Sequence, residues 1–250
     1  MEVNTMKKNR FNSVELGKLL KKVYLGGLIN ECVLEVSEEK ASIHAIDMSD
    51  SIYVFVAAKI GGLPDMKVGL SNLSYLCAFL EREQKALFKI DEKWITFTCK
   101  KNRFKVLHIK PEQITTAISD TEDADKSKLI NKILKKCPNK VELTAKSIDS
   151  FLYYVSLIKP KSIQLVSSNN KTSFQSALTT PEAQFSVFLD NNTAEDVVVE
   201  LFTDRLVAIF KELDWKSKDS PTLVYGEEPE IPIAIKQDNA IWTVTPLQAE

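Results

Sequence analysis

The nine residues SEEKASIHA at 37–45 return in altered form as SNNKTSFQS at 168–176, 131 positions on (168 minus 37). The Ser, the Lys and the second Ser coincide, and the other positions exchange residues of like size or pattern. A turn followed by a strand is thus written twice, half a chain apart. The apolar stripes repeat with it. Leu16 and Ile148 lie 132 apart (148 minus 16), and Leu76 and Leu206 lie 130 apart (206 minus 76). The offset drifts by one residue per loop, where insertions are tolerated. Chance likeness between strand-rich segments does not account for stripe, turn and element order agreeing together. The chain is therefore expected to hold two similar domains, 1–110 and 141–250, joined by a connector at 111–140.

Each half reads as two helices and a set of antiparallel strands, an α+β class. In the first half, Leu16, Leu19, Leu20 and Val23 fall at i, i+3, i+4, i+7 and predict a helix over 13–24, capped by Asn12 or Ser13 and ended by Gly26 and Gly27. Strands are expected at 32–36, 41–46, 51–59 and 66–70. A second helix over 72–83 follows from the stripe Leu73, Leu76, Cys77 and Leu80. A meander of strands at 86–90, 94–99 and 104–109 closes the half.

The second half repeats this order. Thr144 precedes a stripe of Ile148, Phe151, Leu152 and Val155. Strands follow at 162–166, 172–178, 184–189 and 196–201, then a helix over 203–214 on Leu206, Ile209, Phe210 and Leu213. Strands at 222–225, 231–236 and 240–245 finish the chain. One long helix over 193–214 is the alternative; strand then helix keeps register with the first half. In the connector, Asp120, Glu122, Asp123 and Asp125 mark a solvated linker, and 126–136 a short basic helix.

No apolar run reaches the roughly 18–20 residues that cross a bilayer. The basic start MEVNTMKKNRFNS is followed by no apolar segment, so no secretory signal is expected. Cys32, Cys77, Cys99 and Cys137 form no CxxC and read as free thiols in a reducing cytoplasm. The net charge of −1, from 33 cations and 34 anions, argues against a polycation that coats nucleic acid but leaves a local basic face open.

Enzymatic patterns are missing. His44 and His108 are the only histidines, both in expected strands, with no HExxH. There is no GxxxxGK[ST] or GxGxxG. Cys77 sits on an apolar stripe, Trp94 and Trp242 sit in strands, and Glu227-Glu228 reads as a solvated turn. A non-enzyme without cofactor or metal is expected.

The free helix faces carry cations: Lys18, Lys21 and Lys22 on the first, Arg82 on the second, Lys146 on the third, Arg205 and Lys211 on the fourth. Any one of them alone is an ordinary solvated residue, and acids such as Glu15, Glu81, Asp149 and Asp204 share these faces. Together they suggest a shared surface for phosphate.

Four stretches resemble the DNA polymerase sliding clamps of the PCNA and T-even-phage type: HAIDMSDSIYVFV (44–56), KVGLSNLSYLCAFL (67–80), VELTAKSIDSFLYYV (141–155) and EEPEIPIAIKQDNAIWTVTPL (227–247). The resemblance implies the DNA clamp fold, with two helices on one face of antiparallel sheets in each domain. It implies a closed ring, a homotrimer, that encircles duplex DNA without regard to sequence and confers processivity on a DNA polymerase. The seven cations would then face DNA. Strand edges at Phe104, Val106 and His108 in one subunit and Phe185, Val187 and Leu189 in the next would join the ring. Partner peptides, from the polymerase or a clamp-loader ATPase, would dock at Ile46, Asp50, Pro232, Thr245, Pro246 and Leu247, walled by Ile114 and Ile118. Thr243 stands where many relatives carry an aromatic residue, and the connector's charge runs are unusual. The features shared with phage clamps suggest a phage protein acting in the host cytoplasm, with no membrane association.

A monomeric processivity factor or a checkpoint-type clamp subunit would keep the fold and change the task. A β-rich scaffold or virion protein would have no DNA role. Oligomeric mass and retention on circular DNA separate these readings.

Overall fold

The computed structural model describes residues 10–83, 85–115, 126–176, 183–191 and 196–247. The chain divides into two compact units, Met1–Met48 with Phe55–Ser119 and Ser49–Val54 with Asp120–Glu250.

In the first unit the elements are β1 (Arg10–Asn12), α1 (Ser13–Tyr24), β2 (Glu31–Ser37), β3 (Lys40–Ile46), β4 (Ile52–Lys59), β5 (Met66–Ser71), α2 (Leu73–Arg82), β6 (Lys85–Ile90), β7 (Trp94–Cys99) and β8 (Asn102–Leu107). One antiparallel sheet runs β1-β6-β7-β8, and the other runs β5-β2-β3-β4. The segment Ser49–Val54, and so the start of β4, groups with the second unit.

The second unit holds α3 (Lys126–Lys135), β9 (Asn139–Glu142), α4 (Ala145–Ile158), β10 (Ser162–Ser168), β11 (Lys171–Ser176), β12 (Ser186–Asn191), β13 (Val197–Phe202), α5 (Thr203–Lys211), β14 (Thr222–Tyr225), β15 (Ile233–Gln237) and β16 (Ala240–Val244). Its strands run β12-β11-β10-β13 and β9-β14-β15-β16. From β9 onward this is the order of the first unit, element for element. The alternative of one helix over 193–214 gives way to β13 followed by α5.

The repeat holds at the level of backbone register. β2 pairs β5 from Glu31↔Ser71 to Val36↔Met66, and β10 pairs β13 from Ser162↔Phe202 to Ser167↔Val197, every partner 131 positions on (162 minus 31, 202 minus 71). The quoted turns match as well. Glu38 and Glu39 take φ of 51° and 63°, and Asn169 and Asn170 take 51° and 61°. Two successive left-handed residues match the twist of the flanking strands. In both turns a distant aspartate helps hold this geometry: Glu38 N–H donates to Asp65 Oδ1 (2.9 Å) and Asn169 N–H to Asp196 Oδ1 (3.4 Å).

The helices start and stop where local chemistry directs. Asn12 Oδ1 accepts from Glu15 N–H at the head of α1, and Leu25 in the left-handed region ends it. Thr144 and Ser147 form a reciprocal capping box on α4. α1 and α2 bury their apolar stripes, with Leu16, Leu20, Leu76 and Leu80 fully buried, each such burial contributing about 1.5–3 kcal/mol. Of the stripe expected on α4, Ile148 and Phe151 are buried and Leu152 and Val155 half-buried. The second core is aromatic, with Phe151 ringed by Phe174, Phe185 and Phe210 at centroid distances of 5.2, 6.1 and 5.3 Å.

β1 and β9 are absent from the sequence reading; at three and four residues they show no periodicity. α3 agrees with the expected basic helix. Ile133 and Leu134 of α3, with Cys137 beyond it, pack on Val224, Ala234, Ile231 and Ile241. Val224, Ala234 and Ile241 point away from the face that carries Leu223, Ile235 and Trp242, by strand alternation. The sheet β9-β14-β15-β16 is therefore covered by α3 on the side away from Leu223 and Trp242.

Candidate nucleic-acid interface

The helix cations differ between the two units. On α1, Lys18 and Lys21 are exposed and Lys22 is half-buried. Lys18 Nζ pairs with Glu15 (3.2 Å), and Lys21 Nζ reaches across to Glu81 of α2 (3.1 Å). Arg82 is exposed at the end of α2. Lys21, Lys22, Arg82 and Lys211 all stand in last helical turns, where they also offset the negative end of the helix dipole. Such pairs are weak at the surface, about 0–1 kcal/mol, and cost little to exchange.

In the second unit, Lys146 and Lys211 are exposed. Arg205 departs from the sequence expectation of a solvent-facing cation. Its side chain is only 17% exposed. Its Nε and one terminal nitrogen donate to Ser51 Oγ (2.8 Å) and Ser49 Oγ (3.1 Å), the other to Asp204 (3.0 Å). Arg205 therefore ties α5 to the segment Ser49–Val54 and has little guanidinium left for DNA.

The face of α4 was not anticipated. Shifted by 132, Lys18, Lys21 and Lys22 of α1 correspond to Ser150, Tyr153 and Tyr154 (150 minus 18). Leu25, 1% exposed, corresponds to Leu157, 66% exposed. Tyr153 and Tyr154 are exposed too, and Tyr154 stacks on Phe185 just before β12 (5.7 Å). On β12 itself Phe188 is 64% exposed. A cavity of about 390 Å³ between α4 and β12 is lined by Lys146, Ser150, Tyr154 and Phe188 among others. The run FLYYVSLI, apolar around more than one face, was the signal for this surface.

The expected joining strands are present, shifted by about two residues from the sequence bounds. β8 ends the series β1-β6-β7-β8, and β12 ends β12-β11-β10-β13. The residues named for them point inward. Val106, Phe185, Val187 and Leu189 are buried in their own units, and Phe104 stacks on Phe79 (5.1 Å). His108 lies past β8, its Nδ1 3.2 Å from the Asp91 carbonyl. An edge offers its backbone to a neighbour, so these side chains support the strands from behind.

The expected peptide-docking residues divide. Thr245, Pro246 and Leu247 line a cavity of about 500 Å³ with Gln164, Val198, Glu200, Pro229 and Glu230, all in the second unit. The Asp50 carbonyl accepts from Thr245 Oγ1 (3.3 Å). Pro232 is not among the lining residues; its carbonyl accepts from the Cys137 thiol (3.4 Å). Ile114 is buried in the first unit, against Gly69. Ile46 is half-buried on β3, and Ile118 lies outside the described residues.

All four cysteines are buried and none forms a disulfide. Burial pushes the Cys137 thiol up to about 11 and Cys32 higher still, which keeps both protonated. Among the described residues no group of three or more His, Cys, Asp and Glu is arranged to hold a metal, and no helix is long and apolar enough to cross a membrane.

No family model and no curated protein sequence matches the chain. Solved structures do. Archaeal PCNA from A. fulgidus, bound to the C-terminal region of FEN-1, is similar over 97% of this chain and 99% of its own, with 13% identity and a TM-score of 0.70. PCNA from Entamoeba histolytica is similar over 96% and 98%, with 11% identity and a TM-score of 0.67. The Bacillus subtilis sliding clamp is similar over 100% of this chain and 66% of its own, with 12% identity and a TM-score of 0.75. Doubled register, element order and these neighbours agree: the chain has the fold of the DNA polymerase sliding clamps.

Proposed function

We propose that the chain is a sliding clamp whose copies join head to tail into a closed ring, a homotrimer, around duplex DNA and tether a DNA polymerase. The observation that carries this reading is the fate of equivalent strands. By element order β12 repeats β4 and β8 repeats β16. Inside the second unit the stretch leading into β4 lies beside β16, where Thr245 N–H donates to the Ser51 carbonyl (2.9 Å). β12 and β8 stand at the ends of their own series. β12 of one copy beside β8 of the next continues the same pairing between chains, and such a heterologous contact closes into a ring. The apolar face of Tyr153, Tyr154, Leu157 and Phe188 flanks β12 and gives that edge something to bury.

A ring needs only weak, sequence-blind phosphate contacts, because topology retains it. The α1 lysines, Arg82, Lys146 and Lys211 supply them. The cavity at Thr245–Leu247 is proposed to take a short apolar peptide from the polymerase or loader; the archaeal neighbour is described with a bound segment of FEN-1. No chemistry is assigned to the chain.

The test is mass in solution at micromolar concentration, paired with retention on circular and linear duplex. We expect a trimer that stays on nicked circles after loading and runs off linear DNA. Tyr153→Ser with Leu157→Ser should shift the mass to monomer without loss of folding, and Lys21→Glu with Lys22→Glu should weaken retention. A folded wild-type chain that stays monomeric and distinguishes no DNA topology would end this reading.

A further inference from the structure

We infer that the outward face of the sheet β1-β6-β7-β8 binds single-stranded nucleic acid. The cross-strand pairs decide which residues share that face. Phe11↔Ala86, Phe88↔Phe97 and Ile95↔Val106 carry the side chains turned toward the core. The intervening positions point the other way. They are Arg10 on β1, Lys85 and Lys89 on β6, Trp94 on β7, and Arg103 and Lys105 on β8, with Asn12, Leu87, Thr96, Thr98 and Leu107 between them. The five cations are exposed, and no strand position on this face is acidic. For a chain of net charge −1 this is a local concentration of one sign.

Carboxylates at the rim do not cancel it. Asp91 Oδ1 accepts from Lys93 N–H (3.1 Å) and Trp94 N–H (2.7 Å), locking the β6–β7 turn, and Glu92 is exposed beside it. Glu83 Oε1 accepts from Asn102 Nδ2 (2.7 Å). Among the described residues Glu83 is the only acid lining a cavity of about 410 Å³ at the other end of the face, where Arg10, Arg82, Lys85 and Lys100 converge. Phosphate has room there beside four cations.

The fold does not demand this arrangement. Over Val224, Ala234 and Ile241 the matching face in the second unit is apolar and packed under α3, with Lys140, Glu142 and Lys236 at its margins. In the first unit no described helix lies on the same face and its exposed positions are cationic, so its chemistry is particular to it.

Trp94 selects the occupant. Lys93 Nζ and Lys105 Nζ lie over its half-exposed ring, 5.7 and 5.9 Å from the centroid, where a stacking base displaces an ammonium onto its own phosphates. An aromatic ring set among cations is a stacking platform for an unpaired base whose phosphates meet the flanking charges. Bases of a duplex are stacked on one another and cannot use the ring. An acidic peptide would meet the charge and leave the indole idle.

The test uses the full chain and fluorescein-labelled oligo(dT), followed by anisotropy across a salt series. A linear oligonucleotide binds whether or not the protein closes a ring, so this result is independent of the proposed clamp function. Lys89→Glu, Arg103→Glu and Lys105→Glu together should weaken binding at least tenfold, and flatten the log–log salt slope by about 2, near 0.7 per lost phosphate contact. Trp94→Leu should weaken binding several-fold at unchanged slope. Lys216→Glu with Lys218→Glu, exposed in the second unit and away from this face, should leave oligo(dT) affinity unchanged. Circular dichroism checks folding, and the milder Lys89→Gln with Lys105→Gln serves if the triple variant fails it. Wild-type affinity in the folded variants, no wild-type binding at low salt, or polyglutamate bound as tightly as oligo(dT) would each overturn the inference.

Discussion

Helices α1 and α4 hold the same place in the two repeats and present opposite chemistry. α1 has Gly17 against α2, where an added Cβ would lie 3.2 Å from Leu80 Cβ. The missing side chain lets the helices approach closely, and Lys21 and Glu81 bridge them (3.1 Å). At the Gly17 position α4 has Asp149 (149 minus 17 is 132), which is exposed. α4 and α5 meet instead through Phe151 and Phe210, edge to face at 5.3 Å. Leu152 and Val155, half-buried on α4, match Leu20 and Val23, fully buried on α1. A duplicated scaffold has thus kept its strand register while its helices diverged. The first unit closes its helix pair and displays lysine; the second opens its pair and displays tyrosine and leucine, a surface suited to burial by another chain.

The largest effect should come from the pivot of the second unit. Phe151→Ala removes a ring that touches three others and should cost about 3–5 kcal/mol, against about 2–5 for Leu19→Ala at the matching site. Urea unfolding measures both, and a Phe151→Ala cost below 1 kcal/mol would show that α4 does not depend on the aromatic cluster. Next comes an exchange of the divergent position. Gly17→Asp forces α1 from α2 and should destabilise by about 1–3 kcal/mol. Asp149→Gly meets no such neighbour and should cost less, about 0.3 kcal/mol from helix propensity alone. Equal costs would erase the proposed difference in helix closure.

The smallest effect separates the turns. In the first unit the β6–β7 turn is locked by Asp91, whose carboxyl is held below its ordinary range by the N–H groups of Trp94 and Lys93. Glu83 is lowered too, first by the Cys99 thiol and then by Asn102. The corresponding link in the second unit is the loop at 226–232, anchored by Ile231 against the residues around α3. Carboxyls lowered on folding add stability above their unfolded values, about 3.9 for Asp and 4.3 for Glu, and lose it as pH falls through the lower folded values. Asp91 is exposed and Glu83 half-buried at the surface, where solvent screens the charge, so the change is slight. Asp91→Asn should flatten the acid limb of the melting profile between neutral pH and about pH 3. An unchanged limb would show that this turn contributes nothing.

Much of the fold was legible. The stripes of four helices, most strands and both I′-type turns follow from periodicity and turn chemistry, because these are properties of near neighbours. The strand-then-helix reading of the segment before Asp214 was reached by register with the first half, and β13 and α5 agree with it. The site was legible in part. Exposed lysines on α1 could be named from their phase. Arg205 could not be placed, because Ser49 and Ser51, which occupy it, lie about 150 residues away in sequence. Phe185 and Val187 look like interface residues in a one-dimensional strand, yet alternation turns them into their own core. The basic sheet face is spread over 10–105 and exists only once four strands are paired.

The sequence by itself determined that the chain is a duplicated α+β unit, because a 131-residue offset in apolar phase leaves few other ways to bury both halves. Only the tertiary structure decided which surfaces remain uncovered. Whether α3 lies on a sheet, whether two helices close on a glycine, and which cations meet on one face depend on contacts between distant residues. Local periodicity does not encode them.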